Sequence, residues 1–323
     1  MKAGFVVIGR NEGARLIACL DSLIATGIGT IVYVDSGSTD ASVAEAGLRG
    51  ASTVLLDMSL PFTAARARNE GLKHLCAIDP SLEFVQFIDG DCTLAQEWMP
   101  RAYAFLKANP DFAVVCGRRR ERQPEASLYN RLCDLEWNTP VGEAQACGGD
   151  ALMRIESIAA VGGYRDDLIA GEEPELCFRL RAAGLRIWRL DAEMTVHDAA
   201  MSKFGQWWRR SERAGHAFAE VANLHRCSPA GIWRAEIRRA LLWAGLAPAA
   251  LALGLTVSPA FFAGLLAYPA QVFRLYVRYS DEGSDALPRA VLSVIGKFAE
   301  TKGAISFWVR HLGFGQRTLI EYK

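Results

Sequence analysis

Short apolar runs rich in β-branched residues alternate with helix-like patterns through the first 120 residues, and this alternation constrains the fold most strongly. Phe5–Ile8 and Ile31–Val34 have the length and composition of buried strands, and apolar residues recur at helical spacing between them. The same order then continues through Thr53–Leu56, 62–78, Phe84–Ile88, 95–108 and Ala113–Cys116. Repeated strand–helix–strand units predict an α/β fold, with a mostly parallel sheet covered by helices.

Composition excludes several classes of protein. With 323 residues, 51% hydrophobic and 22% charged, the chain is too apolar to be disordered. Its eight cysteines form no C-x-x-C pair, which argues against a disulfide scaffold and favours reduced thiols in the cytosol. Lys and Arg total 36, as do Asp and Glu, so we expect no bulk attraction to nucleic acid and no nucleic-acid partner.

An uncharged run, Ala240–Phe273, shapes the expectation for the second part of the chain. A helix needs about 20 residues to cross the hydrocarbon core of a bilayer, so the run is too long for one straight crossing and short for two. It fits a helical hairpin or a re-entrant pair that breaks near Pro259. Arg238 and Arg239 precede the run and Arg274 follows it, so the positive-inside rule favours cytosolic ends. A buried, soluble helical pair is the alternative.

These patterns predict two regions, an α/β domain over 1–200 and a helical, membrane-associated region over 201–323. Apolar and basic residues mixed between Val291 and Leu312 resemble an amphipathic segment at a membrane surface, although core packing would look similar. At the other end, the apolar run Ala3–Gly9 is too short for a secretory signal and favours a strand. We therefore expect the first domain to lie in the cytoplasm, attached to the inner (plasma) membrane.

Three of the predicted strands end in unusually polar segments, Gly9–Glu12, Asp35–Asp40 and Asp89–Asp91. Open α/β sheets bind ligands in the crevice at the carboxyl ends of their strands. The sequence therefore predicts a ligand site where these three segments meet.

Asp89 and Asp91, separated by Gly90, place two carboxylates at one strand end. Carboxylate oxygens are typical ligands of Mg²⁺ or Mn²⁺, and such a cation bridges to the phosphates of a substrate. An isolated D-x-D sequence is more often a solvated turn. The neighbouring Asp35 favours the metal reading, because a carboxylate there can accept hydrogen bonds from a base or ribose. Asp40, by contrast, is explained by capping of the next helix.

Four ordered motifs resemble family 2 glycosyltransferases of the glycosyltransferase A fold. Val6–Glu12 is similar to the first strand and Asn-Glu turn of that family, and Val34–Asp40 to its nucleotide-binding segment. Ala67–Gly71 resembles the Ala-Arg-Asn-x-Gly run, and Ile88–Asp91 matches the D-x-D element. The resemblance covers about two thirds of the chain and implies transfer of a sugar from a nucleotide-sugar, with inversion at the anomeric carbon.

The resemblance also implies the donor site and its cofactor, Mg²⁺ or Mn²⁺. Asp91 would ligate the metal, and Asp89 would contact the metal or ribose. A UDP-sugar is favoured by family frequency alone. The implied nucleotide-sugar-binding residues are Asn11, Glu12, Asp35, Ser36, Gly37, Arg68, Asn69, Asp89, Gly90 and Asp91.

A glutamate pair, Glu172 and Glu173, opens a predicted helix in which Pro174 suits the first turn and Gly184 marks the end. Resemblance to the family's Glu-Asp pair implies that Glu173 is the general base for the acceptor hydroxyl. Glutamate replaces the usual aspartate, and Glu172 is the alternative. Acidic residues also decorate helix starts without catalytic purpose.

Five further residues complete the predicted site. His197 is a candidate third metal ligand, because neutral imidazole binds divalent cations, although a structural histidine is equally compatible. Gly149 and Asp150 lie in a permissive turn that we assign to the acceptor side, with an ordinary loop as the alternative. We assign Trp207 and Arg209 there as well. The segment that contains Trp207 and Arg209 resembles the Gln-x-x-Arg-Trp element of processive polysaccharide synthases, but no Trp follows the arginine. We therefore expect a non-processive enzyme, or a role for these residues at the membrane surface.

The sequence thus predicts a membrane-attached inverting glycosyltransferase with a lipid-linked or glycan acceptor and contact with membrane lipid. A nucleotidyltransferase could use a similar metal site, yet no Gly-rich phosphate loop with a lysine is present. A membrane-anchored, non-catalytic scaffold that binds nucleotide-sugar is the second alternative.

Overall fold

A computed structural model describes residues 1–313 and divides them into two compact units. The first contains Met1–Gln123 and Cys133–Ala199. The second contains Pro124–Leu132 and the chain from Ala200 onward. The last ten residues of the predicted C-terminal region, 314–323, lie outside the described part.

Within residues 1–313 the strands form one nine-stranded sheet in the first unit. The strand order is β3-β2-β1-β4-β8-β6-β9-β5, and β7 pairs with β9. The strands are β1 Ala3–Gly9, β2 Ile31–Asp35, β3 Ser52–Leu55, β4 Phe84–Asp89, β5 Cys92–Leu94, β6 Phe112–Glu121, β7 Gly142–Glu143, β8 Ala151–Arg154 and β9 Arg186–His197.

The predicted mostly parallel sheet is confirmed. β1 pairs in parallel with β2 and β4, β2 with β3, and β6 with β9. β8 runs antiparallel to both β4 and β6, while β5 and β7 run antiparallel to β9. The parallel half places the ends of β1, β2 and β4 at one edge, as the sequence predicts.

Helices cover the sheet because their apolar residues recur on one face. In the first helix Leu16, Cys19, Leu20 and Leu23 are all fully buried, whereas Arg15 and Asp21 remain in contact with solvent. The helices of the first unit are α1 Ala14–Ile24, α2 Ser42–Leu48, α3 Ala64–Ile78, α4 Trp98–Ala108, α6 Ile155–Ala160 and α7 Glu172–Ala182. Helix α5, Leu128–Glu136, contributes residues to both units.

Strand β6 contains an irregularity that redirects its arginines. Its pairing with β9 shifts register between Cys116 and Arg118 and again between Arg118 and Arg119. Gly117 lies at this point, where a Cβ would approach the carbonyl oxygen of Ala192 to 2.7 Å. A side chain at residue 117 therefore does not fit, and the glycine fixes the bulge.

The second unit is helical. Its helices are α8 Phe204–Leu224, α9 Arg234–Thr256, α10 Ala267–Arg278 and α11 Ala286–His311. Between α9 and α10 the helical conformation is interrupted at Ser258, whose hydroxyl accepts a hydrogen bond from the backbone N–H of Ala260. A 3₁₀ segment, Pro259–Leu266, follows. The predicted break near Pro259 is confirmed.

Two helical stretches of this unit, Arg234–Thr256 and Pro259–Arg278, are long and apolar enough to cross a membrane. Their large apolar side chains are largely exposed, including Leu255 at 79% and Leu266 at 68%. Helix α11 buries part of its apolar face in this unit and exposes the rest, including Leu287, Ile305, Trp308 and Val309.

Candidate active site

The loops after β1 and β2 are joined by hydrogen bonds through Asn11. Its backbone is in the left-handed region, with φ of 55°, and its side-chain oxygen accepts a hydrogen bond from Thr39 N at 2.7 Å. Asn11 N in turn donates to Ser38 Oγ at 2.9 Å. Asn11 therefore fixes the relative position of two loops at the predicted donor edge.

Asp35 is buried, and its carboxylate bonds within its own segment. Oδ1 accepts a hydrogen bond from the Tyr33 hydroxyl at 2.9 Å. Oδ2 accepts from the backbone N–H groups of Gly37 and Ser38 at 2.9 and 2.8 Å. Ser36 N donates to the carbonyl of Gly9. These bonds shape a tight loop, and a contact of Asp35 with a nucleotide stays a prediction.

Asp89, at the end of β4, lies between two arginines. Arg68 Nη2 donates to Oδ1 at 2.8 Å, and Arg119 Nη2 donates to Oδ2 at 3.0 Å. Burial alone would raise the pKa of Asp89, but the two guanidinium groups outweigh burial and hold its pKa well below the usual range. Asp89 is therefore ionised at neutral pH.

Arg119 is a site residue that the sequence analysis missed. Besides Asp89, its guanidinium contacts Asp150 at 2.9 Å and lies over the Trp137 ring, 5.4 Å from the centroid. Asp150 is 1% exposed, accepts from Thr195 Oγ1 at 2.7 Å and receives the backbone N–H of Asp89 at 3.1 Å. Asp150, assigned to the acceptor side from sequence, thus lies directly behind Asp89.

Asp91 and His197 come together because β5 pairs with the end of β9. His197 Nε2 lies 3.3 Å from Asp91 Oδ2, and the imidazole packs edge-on against Trp137, with ring centroids 5.0 Å apart. Burial, followed by repulsion from Arg119, lowers the pKa of His197 to about 4. The imidazole is therefore neutral at neutral pH and keeps a nitrogen lone pair.

The donor atoms of Asp91 and His197 suit a divalent cation. Two octahedral ligands at about 2.1 Å from a small cation lie roughly 3 Å apart, close to the observed separation of Oδ2 and Nε2. Nδ1 of His197 makes no hydrogen bond among the described residues but lies 4.0 Å from Glu121 Oε2, and a carboxylate on that side favours the proton on Nδ1 and the lone pair on Nε2. Carboxylate and neutral imidazole together suit a divalent cation, and the carboxylate oxygen is the ligand that suits the predicted Mg²⁺ or Mn²⁺.

Glycines line the approach to Asp89. A Cβ on Gly149 would lie 3.0 Å from Asp89 Oδ2 and 3.1 Å from Arg68 Nη2. A Cβ on Gly90 would lie 3.2 Å from a backbone oxygen of β1 and 3.4 Å from Cγ of Glu12. Glu12 itself is paired with Arg15 at 2.8 Å. Small residues thus leave room around the Asp89 carboxylate.

The two glutamates at the start of α7 have different contacts. Glu172 Oε1 accepts a hydrogen bond from Arg68 Nη1 at 2.8 Å, and the same arginine contacts Asp89. Glu173, by contrast, is 5% exposed, and its Oε1 accepts from Cys147 N at 2.6 Å. The helix begins at Glu172, and Glu173 is its second residue.

Two thiols complete the surroundings of Glu173. Cys147 Sγ and Cys177 Sγ each lie 3.0 Å from Oε1, and the two sulfurs are 3.7 Å apart. Burial raises the pKa of Glu173, although hydrogen bonds from both thiols and from the Cys147 backbone offset part of the effect. Nothing in the spacing of Cys147 and Cys177 along the sequence signals this contact.

Asn69 fastens α3 to a neighbouring loop. Its Nδ2 donates to the carbonyl of Tyr164 and to Asp166 Oδ1, and its Oδ1 accepts from Tyr164 N. Arg68, one residue earlier, lies over the ring of Tyr164 at 5.6 Å. Asn69 therefore positions the loop beside Arg68, and its direct contact with a donor stays a prediction.

Trp207 and Arg209 lie on α8, in the second unit. Trp207 is buried there, with ring centroids 6.4 Å from Tyr129 and 5.5 Å from Phe204. Arg209 is exposed. Trp207 thus packs within its own unit, and the acceptor role assigned to both residues stays a prediction.

A polar cavity of about 760 Å³ lies in the first unit on the other side of β6. Arg118 and Arg120 line it and both contact Asp134, whereas Arg119 between them contacts Asp89. This alternation follows from the pleat of a strand, which sends successive side chains to opposite faces.

Comparison with known proteins shows what this chain is similar to. Residues 5–146 match the family described as glycosyl transferase family 2. The mannosyltransferase PcManGT from Pyrobaculum calidifontis, solved in complex with GDP-Man and Mn²⁺, superposes with a TM-score of 0.66. At 18% identity the superposition covers 94% of this chain and 87% of that one, and it establishes a shared fold.

Two curated relatives match shorter stretches. The chain is 46% identical over 57 residues to the succinoglycan biosynthesis protein ExoA of Rhizobium meliloti, covering 18% of this chain and 17% of that protein. It is 26% identical over 172 residues to the pre-mycofactocin glycosyltransferase of Mycobacterium tuberculosis, covering 50% of this chain and 35% of that protein. The match therefore spans only about a sixth to a third of the length of these relatives.

Proposed function

We propose, from the match of residues 5–146 to glycosyl transferase family 2, that the protein transfers a sugar from a nucleotide-diphospho-sugar to an acceptor hydroxyl. The observation that carries the proposal is the contact of Asp91 with His197, where β5 pairs with the end of β9, two residues after Asp89 at the end of β4. A carboxylate pair and a neutral imidazole at this edge suit a donor whose leaving group is a diphosphate.

Asp91 and His197 are the residues that would hold Mg²⁺ or Mn²⁺. When bound, the cation neutralises charge that develops on the departing diphosphate. Asp89 stays ionised between Arg68 and Arg119, which keeps it positioned for the ribose or the metal. The guanidinium groups also keep positive charge beside the diphosphate.

We assign the general base to Glu173. Among the described residues, its polar contacts fall on Oε1, which leaves Oε2 to accept the proton of the acceptor hydroxyl. The hydroxyl oxygen then forms a bond to the anomeric carbon while the bond from that carbon to the diphosphate oxygen breaks, which inverts the configuration. Burial raises the pKa of Glu173 and so makes it a stronger base than an exposed carboxylate.

Glu172 is assigned a positioning role. It binds Arg68 Nη1 while Arg68 Nη2 binds Asp89, so the arginine is held between two carboxylates. Loss of Glu172 would free Arg68 to rotate away from Asp89. This assignment separates two neighbouring glutamates that the sequence alone does not distinguish.

The acceptor is proposed to be lipid-linked or a glycan at the cytosolic face of the inner membrane. The two apolar helical stretches of the second unit support this proposal, because their exposed large side chains suit contact with lipid. Both ends of the apolar stretch carry arginines, which favours cytosolic ends and hence a cytoplasmic catalytic domain.

The test is donor binding and turnover by the full-length protein with UDP- and GDP-sugars, with and without Mn²⁺. We expect metal-dependent binding of one donor and its loss in Asp91→Asn. Asp21→Asn is the matched control, because Asp21 is an exposed carboxylate on α1 whose partner is Arg49 rather than a residue of the proposed metal site. A UDP-sugar is the expected donor. Absence of metal-dependent binding to any donor, or equal binding by both variants, contradicts the proposal.

A further inference from the structure

The cluster of Cys147, Glu173 and Cys177 has the chemistry of a second metal site, separate from Asp91 and His197. Its atoms are two sulfurs and one carboxylate oxygen, and all lie within 4.8 Å of one another. Thiolate sulfur selects soft or borderline cations such as Zn²⁺, whereas Mg²⁺ and Mn²⁺ prefer oxygen. The two sites therefore differ in the kind of cation they favour.

The geometry of the cluster is close to that of a tetrahedral zinc centre. Two sulfurs bound at about 2.3 Å with tetrahedral angles lie about 3.8 Å apart. The observed separation of Cys147 Sγ and Cys177 Sγ is 3.7 Å. Only small movements would then bring Glu173 Oε1, now 3.0 Å from each sulfur, to ligand distance from a shared cation.

Local structure holds these three side chains together without a metal. Glu173 and Cys177 are four residues apart on α7 and so share one helix face. Cys147 reaches them from a loop, and its backbone N–H binds Glu173. Cys177 is buried and Cys147 is partly exposed, which gives a cation a route from solvent.

We propose that Cys147, Glu173 and Cys177 form a Zn²⁺-binding site with two thiolates, one carboxylate and a fourth position left for water. Structural zinc centres have four protein ligands, so three ligands and an open position distinguish this site from a structural centre. Metal binding here does not require the transferase activity. Where Glu173 is the base, zinc occupies its carboxylate and inhibits transfer.

Cobalt binding tests the site directly. The full-length protein, stripped of metal and kept reduced by a phosphine, is titrated with Co²⁺, and thiolate-to-cobalt absorption is recorded before Zn²⁺ displaces the cobalt. We expect the absorption in the wild type, and its loss in Cys147→Ser and Cys177→Ser together with at least about tenfold weaker Zn²⁺ binding. Circular dichroism and the unfolding midpoint without metal check that the variants fold.

Two other cysteines serve as controls. Cys92 lies beside Asp91 and His197, and Cys227 is exposed. Both Cys92→Ser and Cys227→Ser should keep the absorption and the Zn²⁺ affinity. Absorption that is absent in the wild type, that persists in folded Cys177→Ser, or that disappears in Cys92→Ser overturns the proposal.

Discussion

The two units distribute charge and apolar surface in opposite ways. The first buries ionisable side chains, including Arg68 at 2% exposure and Glu173 at 5%. The second exposes large apolar ones, including Leu255, Leu266 and Phe273. Buried charges are tolerated only with partners, and exposed apolar surface is tolerated best beside a non-aqueous phase.

This contrast indicates that the two units suit different tasks. In the first unit, the arginines of the site are held by opposite charges, as Arg68 is by Asp89 and Glu172. Such a network prearranges a site for a charged donor. In the second unit, by contrast, the helices expose large apolar side chains, which suits the proposed attachment to a membrane. Four perturbations test the two halves of this comparison.

The largest effect is expected from Glu173→Gln in the first unit. Loss of a general base lowers kcat by up to about 10⁴-fold, while donor binding should persist because Asp91 and His197 are untouched. Glu172→Gln, which retains the base, should instead raise the donor KM and lower kcat less. Steady-state kinetics of both variants test this assignment. An equal fall of kcat in the two variants contradicts the assignment of different roles to Glu172 and Glu173.

Arg68→Met comes next, and its effect falls on stability. The change removes a buried guanidinium that the half-buried carboxylates of Asp89 and Glu172 share, so we expect a loss of about 3 kcal/mol in the free energy of unfolding. Arg165→Met is the control, because Arg165 pairs with Asp167 at an exposed surface and should cost under about 1 kcal/mol. Urea unfolding measures both, and equal losses would show that burial does not matter here.

The third perturbation is Leu255→Ser in the second unit. Transfer of a leucine side chain out of lipid costs about 1.5 to 3 kcal/mol, so partition to vesicles should fall about tenfold or more. Leu48→Ser is closely matched, since Leu48 is 80% exposed in the first unit and Leu255 is 79%. Vesicle flotation compares them. If neither variant loses partition, the apolar helices of the second unit are not the attachment surface.

The smallest effect concerns pH. Glu173 acts as a base only when ionised, and burial raises its pKa above the ordinary value of 4.5, so kcat should fall as pH is lowered through a midpoint above 4.5. Cys177→Ala removes a hydrogen bond that lowers this pKa, so the midpoint should rise by about one unit or less. Cys76→Ala, on α3, should leave it unchanged. A downward shift in Cys177→Ala contradicts the assignment.

The first half of the fold was predictable because its strands are continuous apolar runs. Thr53–Leu56 was expected where Ser52–Leu55 forms β3, and the helix expected over 95–108 begins at Trp98. β9, Arg186–His197, was not predicted, since charged residues alternate along it and its burial depends on pairing with β6. Tertiary context, rather than local pattern, makes that segment a strand.

The candidate site was predictable where chemistry coincides with a strand end, as at Asp89 and Asp91. Arg119 was missed because it follows an apolar run within a triplet of arginines, and only the bulge in β6 decides which one faces Asp89. The thiols around Glu173 were missed because Cys147 and Cys177 are 30 residues apart and meet only through the fold.

The bulge at Gly117 has a consequence for anyone who aligns or redesigns this strand. Three successive arginines make β6 look the same after a slip of one position, so the letters alone cannot tell Arg119 from Arg118 or Arg120. Gly117 removes the ambiguity, because any side chain there collides with the carbonyl of Ala192. A one-residue insertion or deletion between this glycine and Arg119 moves a different arginine of the triplet to the face of the site, although an arginine still occupies it.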